Sequence, residues 1–196
     1  MTMLLALAAV VGMFEAGEPG TNKDIDVEVI EVTSTPKSIA HGRYAIDKLA
    51  QGAGGDRVRV IYANPFREDP KNPGATNVSI DWHVIVRGMI AMKKAGAKYV
   101  CTSFTTTDAE RSRDLKSVAD QLGMILVASL GNGELDRPYP AMVPGVIAVL
   151  GVEQSTSVSR EVRDRADYKL SGTVRPGVRG SSFAAARVCG QLATGR

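Results

Sequence analysis

Few side chains in this sequence are placed to do chemistry, and those that are stand where strong local patterns change. Ser182 lies in the run Gly180-Ser181-Ser182-Phe183-Ala184-Ala185-Ala186, with small residues on both sides and a helical pattern beginning at Ser181. A hydroxyl there sits at the positive end of the helix, where a developing negative charge is favoured by about 0.3–1 kcal/mol. The placement suits a nucleophile, but taken alone it reads first as a helix N-cap, because serine is a preferred cap. His41-Gly42 opens another helical pattern, as a general base or as a surface residue. Glu15, Glu18, Asp24 and Asp26 follow the first apolar run. Metal chemistry is not indicated: no Cys or His pair has ligand spacing, no oxygen-rich loop of the calcium type stands out, and no cofactor is implied. Cys101 and Cys189 fall in apolar patterns and read as buried, reduced thiols. His83, beside Trp82 in a helical pattern, reads as structural.

The elements that must hold these residues alternate along the chain. Apolar runs predict strands over Ala8 to Phe14, Val27 to Val32, Val58 to Tyr62, Tyr99 to Phe104, Met124 to Leu130 and Val146 to Val152. Helical spacing marks Ile39 to Ala50, Ser79 to Lys94, Asp108 to Leu122 and Ser181 to Leu192. The glycines of Gln51 to Gly55 follow a helix and precede a strand, whereas a phosphate loop does the reverse, so they predict a C-cap turn. Pro65 to Asn77, with three prolines, predicts a polar surface loop. Alternating strands and helices imply an α/β fold with a parallel sheet covered on both faces. In such a sheet, function sits where strands end, which selects Glu15, His41, Ser103, Asn132 and Ser182.

The 196 residues are 44% hydrophobic and 23% charged, which suits a single domain over residues 1–196 with a core large enough to need no staple. A net charge of +3 with scattered arginines does not indicate nucleic acid. Leu4 to Phe14 is too short to span a membrane and has no basic residue before it, so a strand is favoured over a secretion signal.

Several segments together carry a resemblance. Gly180 to Val188, with Ser182 at the nucleophile's place, resembles the motif Gly-Thr-Ser-Met-Ala-Ala-Pro of the subtilisin-like serine peptidases. His41-Gly42 matches the pair that opens their catalytic helix. Ala128-Ser129-Leu130-Gly131-Asn132-Gly133 is similar to their Ala-Ala-Gly-Asn segment, and Tyr139 to Val149 to their Tyr-Pro and Pro-x-Val-Ile-Ala-Val signature, which carries no chemistry. The strand ending in Glu15-Ala16-Gly17 stands where that family has Asp-Thr-Gly or Asp-Ser-Gly. All five occur in the family's order.

The resemblance implies a three-layer α/β/α, mainly parallel, subtilisin-like fold and a serine endopeptidase without cofactor or metal. Ser182 would be the nucleophile, His41 the base, Glu15 the triad acid and Asn132 the oxyanion donor. Ser103, Phe104 and Thr105 would pair with an extended peptide by strand addition and, with Ala128, Ser129, Leu130 and Gly131, flank the pocket before the scissile bond. Leu130 replaces a small residue there, implying a shallower or reshaped pocket.

The departures are specific. Glu15 replaces aspartate; its added methylene moves the carboxylate by about 1.5 Å where a site tolerates about 0.5 Å, so the backbone must retreat. Ala186-Arg187 replaces Pro-His, and the chain stops 14 residues after Ser182, which implies a flank open to a partner chain. A catalytically impaired, peptide-binding relative is therefore the competing reading. A nucleotide binder, resting on strand and helix alternation alone, is the third. Location is open: the family implies secretion or the periplasm, the lack of a clear signal the cytoplasm.

Overall fold

The computed structural model describes residues 6–11, 25–31, 44–45, 47–49, 51–53, 58–63, 66–67, 79–133 and 135–195. The elements in chain order are β1 (Ala6–Val11), β2 (Ile25–Glu31), β3 (Val58–Ala63), β4 (Phe66–Arg67), β5 (Ser79–Ile80), α1 (Trp82–Lys94), β6 (Tyr99–Thr102), α2 (Ala109–Gln121), β7 (Ile125–Ser129) and β8 (Ile147–Gly151). They continue with α3 (Arg160–Asp164), β9 (Tyr168–Leu170), β10 (Thr173–Arg175), β11 (Val178–Arg179) and α4 (Ser181–Ala193). Residues 44–45, 47–49 and 51–53 are also helical.

Seven strands form one sheet in the order β2-β3-β1-β6-β7-β8-β9, and every pair is parallel. The order reverses at β1: the chain passes to the edge strand β2, returns to β3 beside β1, then crosses to the other side with β6. In open parallel sheets such a reversal is where ligands bind, at the C-terminal strand ends; here Val11 is paired with Thr102.

Both faces of the sheet are covered, which is why its strands read as nearly continuous apolar runs. Successive side chains alternate between two cores. Val100, Leu126, Ala128, Ala148 and Leu150 pack with α1, α2 and α3, while Cys101, Val127 and Val149 pack with the helical residues Ala45, Leu49 and Ala53 and with α4. The result is the expected three-layer α/β/α arrangement. No helix among the described residues is long and apolar enough to cross a membrane.

Several expectations need correction. Residues 51–53 are helical rather than a C-cap turn. The helix predicted from Ser79 begins at Trp82, because Ser79 and Ile80 pair with Phe66 and Arg67 inside the predicted polar loop. Asp81 caps it, accepting from the His83 and Val84 amides, a cap worth about 1 kcal/mol. The first strand is Ala6–Val11, and the predicted residues 12–14 lie outside the described ones. Cys101 and Cys189 are buried but joined in a disulfide with Cα atoms 6.3 Å apart, tying β6 to α4. The period-two alternation that turns Cys101 toward α4 makes that pairing possible.

The tightest packing joins the helical residues 47–49 and 51–53 to α4. A Cβ on Gly52 would stand 2.0 Å from the Arg187 carbonyl oxygen, and one on Gly190 would stand 2.0 Å from that of Leu49. The two helices touch backbone to backbone, and only glycine fits at either point.

Two stability outcomes follow. Gly190→Ala forces the helices apart and lowers stability by at least about 1–3 kcal/mol in urea unfolding. Replacing both cysteines by alanine, or unfolding under reductant, lowers stability by about 4–5 kcal/mol on the chain-entropy account of a cross-link spanning 88 residues.

Candidate functional site

Ser182 is the second residue of α4, and the N-cap is Gly180, which makes no side-chain capping bond. The hydroxyls of Ser181 and Ser182 are both used elsewhere. Buried Ser181 accepts the Gly151 amide on its Oγ at 2.9 Å, tying the start of α4 to the end of β8. Ser182, half-buried, donates its Oγ to the Ser103 carbonyl oxygen at 2.8 Å, 79 positions away. The N-cap explanation of Ser182 is thereby set aside.

Asn132 reaches the same helix end from β7. Gly131 and Gly133 flank it with φ of 74° and 106°, a backbone that residues with a Cβ rarely adopt, and this lets the loop turn sharply around Asn132. Its Oδ1 accepts the Ser181 amide at 2.9 Å, which assigns the other arm of the amide, Nδ2, as the donor. A Cβ on Gly180 would stand 3.1 Å from Oδ1, so the absence of a side chain there gives the asparagine its place. Among the described residues the Ser182 amide makes no hydrogen bond, while those of Phe183 and Ala184 go to the Gly180 carbonyl. An amide donor and a backbone N–H thus lie together at a positive helix end, beside a hydroxyl.

The β6 segment is braced from outside. Thr106 and Tyr139 exchange both backbone hydrogen bonds, at 2.8 and 3.0 Å, so the Tyr-Pro signature, with a cis bond at Tyr139-Pro140, holds the segment after Ser103. The motif without chemistry therefore has a mechanical role. Ser103 is 3% exposed, and among the described residues its Oγ has no hydrogen-bond partner. Phe104, Ala128, Ser129 and Gly131 are buried, and Thr105 is half-buried. Leu130 is 1% exposed and belongs to the core under α1 and α2, so its bulk is spent on packing.

His41 and Glu15 lie outside the described residues. The nearest described residues are Val11, four positions before Glu15, and Tyr44. Tyr44, three residues after His41, packs edge-to-face on Phe183, centroids 6.2 Å apart, and Phe183 directly follows Ser182. The Arg175 guanidinium lies 5.3 Å from the other partner of that stack, the Tyr44 ring centroid. His83 is exposed on α1, away from these groups.

One residue absent from the sequence-based list carries a strong electrostatic signature. Glu153, in the turn of 3-10 helix Val152–Gln154 after β8, accepts from Ser171 Oγ, from Thr173 Oγ1 at 2.7 Å and from the Gly172 amide at 3.0 Å. Burial alone raises its pKa, but these hydrogen bonds outweigh it and lower the value from 4.5 to about 2. Lys48 is lowered, by burial first and then by Arg187, with Glu153 opposing. No local spacing marks Glu153; its partners arrive from 18 to 20 residues downstream.

No protein-family model matches this chain, and no curated protein does. Solved structures do. The prenylagaramide maturation protease PagA matches 94% of this chain and 72% of its own, with a TM-score of 0.66 and 18% identity. The patellamide maturation protease PatA matches 96% and 77%, with 0.63 and 18%. MycP1, a serine protease of the type VII (ESX-1) secretion system, matches 96% and 70%, with 0.63 and 18%. These likenesses show the fold.

The depressed Glu153 pKa sets a pH dependence. A carboxyl more acidic folded than unfolded stabilises the fold above pH 4.5 and loses that contribution as pH falls from 4.5 toward 2. Melting temperature against pH therefore declines over that window, and Glu153→Gln flattens the decline.

Proposed function

We propose that this chain, which has the subtilisin-like α/β fold, is a serine endopeptidase working as one domain over residues 1–196. The observation that carries the reading is the convergence of Ser182, Asn132 and the Ser103 carbonyl at the N-terminal end of α4, from segments 49 and 79 positions apart.

In this reading Ser182 Oγ attacks a peptide carbonyl while His41 takes its proton and later gives it to the leaving amine. Tyr44 supports His41 as the base: three residues of chain reach at most about 10 Å, and Tyr44 touches the neighbour of Ser182. Glu15 is the acid that orients the imidazole. It follows Val11, whose strand partner Thr102 precedes Ser103. Asn132 Nδ2 and the Ser182 N–H receive the oxyanion, as Asn132 Oδ1 is already committed to Ser181.

The substrate is an extended peptide laid along Ser103, Phe104 and Thr105, facing the segment Ala128, Ser129, Leu130 and Gly131. Because the side chains there are mostly buried, pairing is through the backbone. A substrate N–H arriving at the Ser103 carbonyl displaces the Ser182 hydroxyl from its 2.8 Å bond, and one torsion then turns Oγ toward His41.

The second reading, a catalytically impaired relative that keeps the peptide cleft, draws on that same bond, which commits the hydroxyl proton to a backbone carbonyl. A fluorophosphonate probe separates the two. Labelling mapped to Ser182 by mass spectrometry, lost in His41→Ala, supports the peptidase; a folded protein that stays unlabelled supports the impaired relative. In the active protein, Asn132→Ala lowers kcat by about 10²–10³. Glu15→Asp changes turnover if Glu15 is the triad acid and leaves it unaltered if it is not.

A further inference from the structure

We propose that Glu153 is a positioning residue, which holds the start of α4 in place by fixing Gly172 against Gly180. The inference rests on the peptidase reading only for its catalytic consequence.

The contact between residues 172 and 180 is backbone on backbone. The Gly180 amide donates to the Gly172 carbonyl at 3.3 Å. A Cβ on Gly172 would stand 2.1 Å from the Gly180 carbonyl oxygen and 3.4 Å from the Ala184 nitrogen, so nothing larger than glycine brings the two strands of chain so close. Gly180 is also the residue that Asn132 packs against, and it precedes Ser181 and Ser182. A shift of Gly172 is therefore passed to the amide donor and the nucleophile together.

Residues 171 and 172 join β9 to β10 outside any regular element, and one carboxylate gathers both of them together with Thr173, the first residue of β10. Oε1 accepts from Ser171 Oγ and Thr173 Oγ1, and Oε2 accepts from the Gly172 N–H. Three donors on one group call for an acceptor-only side chain. An amide in its place must turn its NH₂ toward at least one of those donors. Glu153 itself stands two residues beyond Gly151, which binds Ser181 Oγ, so the end of β8 grips the start of α4 twice, once directly and once through Gly172. Lys48 and Arg187, from the two helices of that layer, lie in the same electrostatic neighbourhood.

The test compares wild type, Glu153→Ala, Glu153→Gln, Asn132→Ala and the Glu153→Ala/Asn132→Ala double variant. The readouts are the rate of fluorophosphonate labelling at Ser182, steady-state cleavage of a quenched peptide, and amide hydrogen exchange. Glu153→Ala is expected to lower kcat and the labelling rate about tenfold to a hundredfold with KM within about threefold, the scale of a site misplaced by about 1 Å. Glu153→Gln, which keeps the shape, falls between it and wild type. Adding Glu153→Ala to Asn132→Ala costs less than Glu153→Ala does in the wild type, because the donor is already gone and only the shift of Ser182 remains to be felt. Exchange rises in the peptide covering 178–183 and stays constant in α2. Wild-type labelling in Glu153→Ala, losses that multiply in the double variant, or unchanged exchange at 178–183 overturns the proposal. If wild-type Ser182 takes no label, the peptidase reading fails separately, and the exchange comparison alone decides whether Glu153 positions α4.

Discussion

The arrangement of this protein depends on two helices being allowed to touch with no side chain between them. Gly52 and Gly190 let the helical residues 47–49 and 51–53 and α4 meet through backbone atoms, each carbonyl occupying space that a Cβ would need. Closer helices bring Tyr44 onto Phe183, and through Phe183 they set the distance from the first of these helices to Ser182. The small residues Ala184, Ala185 and Ala186 extend the same logic to the sheet, on which α4 lies flat against Cys101, Val127 and Val149. Bulk has been removed along this layer so that polar groups at its end can be placed by rigid packing.

At that end the placement is polar and redundant. α4 starts at a glycine without a capping side chain, so its first N–H groups are left for other partners. Asn132 takes one, the end of β8 takes the Ser181 hydroxyl, and the 171–173 segment holds Gly180. Each grip comes from a different strand end of one sheet. The helix start is thus located from three strand ends, which is what a constellation tolerant of about 0.5 Å requires.

Much of this was legible in the residue pattern, and the failures have physical reasons. The central strands announced themselves because burial on both faces leaves uninterrupted apolar runs, as in Val146 to Leu150. The small-residue run after Gly180, and Asn132 between glycines, marked the site because close approach leaves a compositional trace. By contrast, β9 and β10 are three residues each beside a charged stretch and β11 is two, too little for a period to show. The disulfide was missed because Cys101 and Cys189 meet only once β6 and α4 are stacked. Leu130 looked like a pocket wall from its neighbours in sequence, yet the strand's alternation sends it into the core. Glu153 carried no signal, since its meaning lies in three donors supplied from beyond β9. What depends on local repetition can be read from a chain, whereas what depends on distant segments arriving together cannot.

The position of α4 after every strand of the sheet has a consequence for synthesis. As the chain emerges, β1, β6, β7, β8 and β9 can assemble under α1 and α2, but their opposite face, with Val127 and Val149, has only the helical residues 44–45, 47–49 and 51–53 to cover it until α4 arrives to lie across all five. The same helix carries Ser182. Closing the greasy side of the nascent sheet and supplying the reactive hydroxyl are therefore a single event, so no half-made chain with an uncovered face can hold a complete site.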